Sequence, residues 1–196
     1  MKNRNFVGTG RREADKIKKR LMTWCKSSNY DIVIPNFFVE MYEMDVMKLT
    51  HAGILCEYEI KVSRADFKND FKKGYKLWKG EQKNKHESIK NGELKCNRFY
   101  FVVPENLITK DEVPEYAGLI YYYKEDYLRT IKPSKIIHHN KYNDYEKLAE
   151  KLAFRCEIYE GKVRYYKSRA KDIIETCKNI FEKNNIEIPY FVNFEL

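Results

Sequence analysis

One short segment of the chain carries charged side chains that could act together in catalysis. Residues 57–61 read Glu-Tyr-Glu-Ile-Lys and lie in a run of apolar and β-branched residues, a pattern typical of a strand. Because side chains alternate between the two faces of a strand, Glu57, Glu59 and Lys61 share one face. The segment therefore places two carboxylates and one ammonium group side by side.

A further carboxylate, Asp45, is predicted to lie opposite Glu59. Residues 44–50 and 54–62 have the pattern of two strands, and the three residues between them end in a glycine, as in many hairpin loops. If the hairpin turns about the middle of this loop, Asp45 faces Glu59, although a bulge at the glycine would shift the register by one residue. Facing like charges destabilise a sheet. A divalent cation between them would explain the pair, and all-oxygen ligands suit Mg²⁺, for which Mn²⁺ is expected to substitute.

An exposed strand face, on which Glu and Lys pair in solvent, is the alternative interpretation. The residues that follow favour a site. Ser63 and Asp66 resemble a capping box and open a Lys-rich segment, predicted to be helical to about Leu77.

The residues Asp45, 59–67 (EIKVSRADF) and Asp70 resemble the PD-(D/E)XK nuclease superfamily, most closely its MmcB-like and phage subgroup. Residues 97–104 and 112–120 also resemble that subgroup. The resemblance implies a restriction-endonuclease-like α/β sandwich with a central mixed sheet. It also implies metal-dependent hydrolysis of phosphodiester bonds in DNA.

The same resemblance implies a role for individual residues. Asp45 and Glu59 would be metal ligands, the Ile60 carbonyl would be a third ligand, and Lys61 would be the catalytic lysine. Many members of the superfamily add a glutamate from the first helix, for which Glu13 is the candidate here. The alternative for Glu13 is an ordinary charge near a helix end.

The remaining elements are predicted from periodicity and from turn residues. A nuclease core over residues 1–135 and a C-terminal helical extension over 140–196, packed on or beside the core, make up the chain. The predicted elements are a helix over residues 11–26, strands over 31–41, 44–50, 54–62, 98–103 and 117–123, and two C-terminal helices, the first capped by Asn143.

The charge of the chain indicates a polyanionic partner. Lys and Arg number 38 and Asp and Glu 29, a net charge of +9. Lysines crowd residues 68–95, where phosphate contacts are predicted and a solvated helix face is the alternative. Lys85-His86 resembles a pair found in the phage-type relatives, and His86 is predicted to lie at the surface. The predicted DNA-binding residues are Arg64, Lys68, Lys72 and Lys73.

Composition excludes several classes of protein. Hydrophobic residues make up 43% of the chain, too many for a disordered protein, and no apolar run approaches the length of a membrane span. The polar N-terminus predicts no secretory signal peptide. Five scattered cysteines without a CxxC pair predict a reducing compartment, the cytoplasm of a bacterium or of a phage-infected host.

The main prediction is therefore a Mg²⁺-dependent deoxyribonuclease of a phage or of DNA repair, with RNA left open as a substrate. One alternative is a catalytically silent nucleic-acid-binding module of the same fold. Another is a structural protein whose helical tail recruits a partner. The C-terminal helices could cover the sheet, form a homodimer contact or dock DNA.

Overall fold

The structure of the chain, a computed structural model, describes residues 7–38, 42–77 and 80–183. The chain divides into two units, Met1–Asn143 and Asp144–Leu196. The elements in chain order are α1 (Val7–Cys25), β1 (Ile32–Phe38), β2 (Glu43–Leu49), β3 (Leu55–Ile60), α2 (Arg64–Asp70), β4 (Gly74–Lys76), β5 (Gln82–Asn84), α3 (Lys85–Lys90), β6 (Arg98–Pro104), β7 (Ala117–Tyr123), β8 (Tyr127–Lys132) and α4 (Tyr145–Lys183).

A six-stranded sheet in the order β1-β2-β3-β6-β7-β8 forms the centre of the first unit. The β3–β6 and β6–β7 pairs are parallel, whereas the other three pairs are antiparallel. Strands β4 and β5 form a separate hairpin. The α/β fold with a central mixed sheet and a C-terminal helix is confirmed.

Helix α1 covers one face of this sheet. Its residues Ile17 and Leu21 are fully buried, because they recur on the one face of the helix that meets the strands. They pack in a hydrophobic cluster that includes Val46, Tyr58 and Ile60. The apolar face of β3 therefore belongs to the main core, as its alternation predicts.

The β2–β3 hairpin has the predicted register. Val46 faces Tyr58 and Leu49 faces Leu55, without a shift of one residue. Gly53 has a φ of +81°, a left-handed conformation that favours glycine, and its N–H donates to the Thr50 carbonyl. The short loop thereby fixes which residues of the two strands lie side by side.

The second face of β3 is also buried. Glu57 faces Phe99 and Glu59 faces Phe101 on the neighbouring strand β6. Phe67 of α2 packs edge-on against Phe101, with ring centroids 4.9 Å apart. The exposed-strand alternative is therefore wrong, because this face of the sheet is covered.

Several predicted elements differ from the observed ones. Helix α2 begins as expected, since the Ser63 hydroxyl accepts from the Asp66 N–H, but it ends at Asp70 and not near Leu77. The chain then turns into the β4–β5 hairpin and the short helix α3, neither of which was predicted; β8 was also not predicted. The two predicted C-terminal helices are one continuous helix of 39 residues.

No helix in the described part of the chain is long and apolar enough to cross a membrane. Four of the cysteines carry free thiols, namely Cys25, Cys56, Cys96 and Cys156.

Candidate active site

Seven charged or titratable side chains meet on the face of the sheet that lies away from α1. All of them are buried except Lys73, whose side chain is 47% exposed. Buried charges are expensive unless they are paired, so a group of this size is a candidate functional site. The members of this charged cluster are Glu57, Glu59, Lys61, Asp70, Lys73, Lys85 and His86.

Glu59 lies at the centre of the charged cluster and is bound by three lysines. Its Oε1 accepts from Lys61 Nζ and Lys73 Nζ, both at 2.7 Å. Its Oε2 accepts from Lys85 Nζ at 2.9 Å. Burial alone would raise the pKa of Glu59, but the lysine charges, that of Lys85 above all, bring this pKa below its ordinary value. Glu59 is therefore ionised at neutral pH.

Glu57 and Lys85 form a fully buried ion pair within the charged cluster. Lys85 Nζ lies 2.7 Å from Glu57 Oε1, and the Tyr42 hydroxyl donates to Glu57 Oε2 at 2.7 Å. Burial raises the pKa of Glu57, and the nearby Glu59 charge adds to the effect. Burial would lower the pKa of Lys85, but the charges of Glu57 and Glu59 raise it above its ordinary value. Lys85 is therefore held in its charged form.

Asp70 connects the end of α2 to both β3 and α3. Its Oδ1 lies 2.7 Å from Lys61 Nζ and from Lys73 Nζ. Its Oδ2 lies 2.7 Å from His86 Nε2, and the other ring nitrogen of His86 lies 2.7 Å from the Tyr116 hydroxyl. A proton on Nε2 satisfies the carboxylate and leaves Nδ1 to accept from Tyr116, a tautomer assigned from these contacts.

The pKa of Asp70 makes this contact sensitive to acid. Burial would raise that pKa, but the His86 hydrogen bond and the Lys61 charge bring it well below the ordinary value of 3.8. The unfolded chain therefore binds the proton more readily than the folded one. Ionised Asp70 stabilises the fold fully above about pH 4, and this contribution is lost as the pH falls.

Replacement of Asp70 by asparagine tests this dependence. We expect Asp70→Asn to lower the free energy of unfolding by about 2 kcal/mol at pH 7, because it removes charged hydrogen bonds. The difference from the wild type should narrow as the pH falls toward 3, measured by urea unfolding at several pH values. Asp111→Asn, which changes an exposed carboxylate outside the charged cluster, is the matched control. If the difference in unfolding free energy between Asp70→Asn and the wild type does not change with pH, the lowered pKa of Asp70 is contradicted.

Asp45 lies beside the charged cluster on the neighbouring strand. Its Oδ2 accepts from the Ile60 N–H at 2.9 Å, and its Oδ1 lies 3.5 Å from Lys18 Nζ of α1. Burial raises the pKa of Asp45, and the negative charge of Glu59 raises it further. The side chain is nevertheless 29% exposed. Asp45 is thus a carboxylate near Glu59 that solvent can reach.

The other residues predicted from the sequence lie farther out. Glu13 is exposed on α1, and the residue of that helix that contacts Asp45 is Lys18.

The residues predicted to bind DNA lie on or near α2. Arg64 is half exposed, donates to the Leu107 carbonyl at 2.8 Å and forms an ion pair with Glu112. Lys68 and Lys72 are exposed on or just after α2. Lys73, predicted to bind DNA, forms ion pairs with Glu59 and Asp70.

Lys85 and His86 are buried, although their sequence context suggests a position at the surface. The surface position predicted for His86 is wrong, because its side chain is buried against Phe71 and Phe101. A helix start was readable here, since Asn84 accepts from the Glu87 N–H three residues on, as a capping residue does. This would place Lys85 and His86 in the first turn of a helix. No sequence signal marks Tyr42 or Tyr116.

The carboxylate oxygens of Asp45 and Glu59 are of the kind that binds a hard divalent cation. Asp45 and Glu59 supply carboxylate oxygens, and burial together with the negative charge of Glu59 raises the pKa of Asp45, an effect that a bound cation would offset. Both oxygens of Glu59 are bound by lysines, so a cation would compete with these ammonium groups. Within residues 7–38, 42–77 and 80–183, no group of three or more His, Cys, Asp or Glu side chains is arranged to hold a metal.

Comparison with known proteins assigns no activity to the chain. No protein-family model matches it, and no curated protein matches it. Among solved structures, it is similar to a protein of unknown function from Silicibacter pomeroyi, with 21% sequence identity and a TM-score of 0.48. The likeness covers 79% of this chain and 90% of the other.

Proposed function

We propose that the chain is a metal-dependent nuclease that hydrolyses phosphodiester bonds in DNA, in the cytoplasm of a bacterium or of a phage-infected host. The observation that supports this proposal best is the buried Lys61, whose Nζ lies 2.7 Å from Glu59 Oε1. Glu59 belongs to β3, which pairs with the strand β2 that carries Asp45. A buried lysine between carboxylates is a costly arrangement that a site for anionic substrates would justify.

In this proposal Asp45, Glu59 and the Ile60 carbonyl would hold Mg²⁺, with Mn²⁺ as a substitute. The bound ion would polarise the phosphodiester and lower the pKa of a water molecule. Asp45 would supply the ligand that solvent can reach, whereas Glu59 would supply the ligand whose position the lysines fix.

Lys61 would stabilise negative charge on the phosphate. Its ammonium group lies between Glu59 and Asp70, at 2.7 Å from each, so its position is set before substrate arrives. A fixed positive charge in a site from which water is excluded stabilises a transition state more than a mobile one. Asp70 and His86 would act as positioning residues, because Asp70 holds Lys61 and His86 in turn holds Asp70.

The exposed basic residues of α2 would bind the DNA backbone. Arg64, Lys68 and Lys72 lie on or next to this helix, which carries Asp70 into the charged cluster. Phosphate contacts of this kind give affinity without sequence preference and weaken as salt is added. Lys73 would reach a phosphate only by leaving its ion pairs with Glu59 and Asp70.

One observation favours the alternative of a silent nucleic-acid-binding module. The charged cluster holds three lysines against three carboxylates, and the ion pairs among them balance these charges without a metal. Such a cluster could serve the fold alone, while the basic surface binds nucleic acid.

The deciding experiment incubates the purified chain with linear, circular, nicked and branched DNA, and with RNA, over a titration of Mg²⁺ and of Mn²⁺. We expect metal-dependent cleavage that is lost in Asp45→Asn and kept in Asp111→Asn, which changes an exposed carboxylate. Binding without cleavage of any substrate would favour the silent module. No binding even at low salt would favour a structural or interaction protein.

A further inference from the structure

Helix α4 is long and largely exposed. Its 39 residues give a rod of roughly 58 Å at the usual rise of an α-helix. Most helical stability in proteins comes from packing of an apolar face and not from helix propensity alone. A helix of this length therefore calls for a partner along its apolar side.

An apolar stripe runs along α4 with a coiled-coil spacing. Its residues follow one another at alternating steps of three and four, so small residues occupy one position of a heptad and mostly large ones the other. This repeat averages 3.5 residues, the period that supercoils two helices about each other. The members of the heptad stripe are Ala149, Leu152, Cys156, Tyr159, Val163, Tyr166, Ala170 and Ile173.

The heptad stripe exposes enough apolar surface for a stable interface. Tyr159, Val163, Tyr166 and Ile173 are 51%, 53%, 67% and 57% exposed. Since a fully buried aromatic side chain covers ~150–250 Å², these four leave roughly 400 Å² on one helix. Two such helices, with the smaller residues between, reach on the order of 1,000 Å², which is the lower bound of the area expected of a specific interface.

We propose that the heptad stripe forms a two-stranded coiled coil with the α4 helix of a second copy of this chain. A helix with the same repeat is the partner that matches such a stripe turn by turn, because each side chain then enters a gap of the facing helix. The second copy supplies that repeat and the required area. This inference does not depend on the proposed nuclease function.

The charges beside the heptad stripe predict how salt acts on the dimer. Between residues 155 and 169 the charged residues that flank the stripe are basic at Arg155, Lys162, Lys167 and Arg169 and acidic at Glu160, so the basic charges are in excess. Two copies therefore repel each other at these edges, and salt screens this repulsion. The dimer should strengthen with salt, whereas association through a bridging nucleic acid should weaken.

Two adjacent tyrosines provide a matched test. Tyr166 belongs to the heptad stripe, whereas Tyr165 lies off it, and they are 67% and 60% exposed. We expect the nucleic-acid-free full chain to show a dimer mass by light scattering at low and high salt. Tyr166→Lys should raise the dissociation constant by about tenfold or more, whereas Tyr165→Lys should leave it unchanged.

Far-UV circular dichroism and a milder variant, Val163→Ala, separate loss of the dimer from loss of the helix. A monomer mass for the wild type at every concentration would overturn the proposal, and so would a dimer that both stripe variants leave intact. A dimer that dissociates at high salt would assign the association to bridging nucleic acid instead.

Discussion

Replacement of Lys61 by methionine is expected to slow metal-dependent cleavage of DNA by roughly 10²–10³-fold, the usual cost of removing one fixed electrostatic donor. Methionine keeps the length of the side chain and removes the ammonium group that lies 2.7 Å from both Glu59 and Asp70. DNA binding should change little, because the proposed phosphate contacts lie on the exposed surface of α2. Single-turnover cleavage and a separate binding titration measure the two effects.

Lys124→Met is the matched control, because it removes an exposed lysine from the turn after β7. It should cleave like the wild type. A Lys61→Met variant that cuts at the wild-type rate would remove Lys61 from the mechanism. Parallel loss of binding and cleavage would mean that Lys61 acts in affinity and not in the chemical step.

Replacement of Lys85 by methionine should be the most destabilising single change in the charged cluster. The ammonium group lies 2.7 Å from Glu57 and 2.9 Å from Glu59, and it is buried with them. Its removal takes the ammonium partner from the buried Glu57, which then lies beside the ionised Glu59, and this costs about 3–5 kcal/mol of unfolding free energy at pH 7. Urea unfolding followed by circular dichroism measures the loss.

The pH dependence of the Lys85→Met variant has a defined sign. The pKa of Glu57 is already raised by burial, and loss of Lys85 raises it further. The folded variant therefore binds a proton more readily than the unfolded chain, so its stability should recover as the pH falls from 7 toward 5. Glu57→Gln in the same background should restore part of the stability at pH 7. Lys83→Met, at an exposed pair with Glu93, should have little effect.

The strand that carries the site was predictable because its pattern is local. Alternation in residues 57–61 sets which side chains share a face, and a short loop that ends in Gly53 sets the register against β2. The proximity of Asp45 to Glu59 follows from these two facts. The Ser63 cap was predictable for the same reason, since a cap needs only residues three positions apart.

The elements that pack over the candidate site were not predictable from alternation or from turn residues. They are short elements between residues 64 and 90, whose few apolar residues, such as Phe67, Tyr75 and Ile89, do not recur with one period. Charged side chains such as Lys85 look like surface residues in the sequence. Only the tertiary fold shows that carboxylates of β3 compensate them.

The length of α4 shows a different limit. Gly161 lies in the middle of this helix, where glycine costs about 1 kcal/mol relative to alanine, and it favours an interpretation as two helices. The helix nevertheless passes through it without a break. An added Cβ at Gly161 would meet no atom within 4 Å, so the glycine is not required by packing there.

The short helix α2 has a consequence for how the first unit opens. A helix of seven residues does not persist in water by itself, and here its last residue, Asp70, is tied to Lys61 after β3 and to His86 of α3. The contacts of Asp70 thereby join α2, the end of β3 and α3 into one cooperative unit. The amide protons of α2 should exchange with solvent as slowly as those of the central strand. The exchange rate of the α2 amide protons therefore reports whether the buried ion pairs of Asp70 are intact.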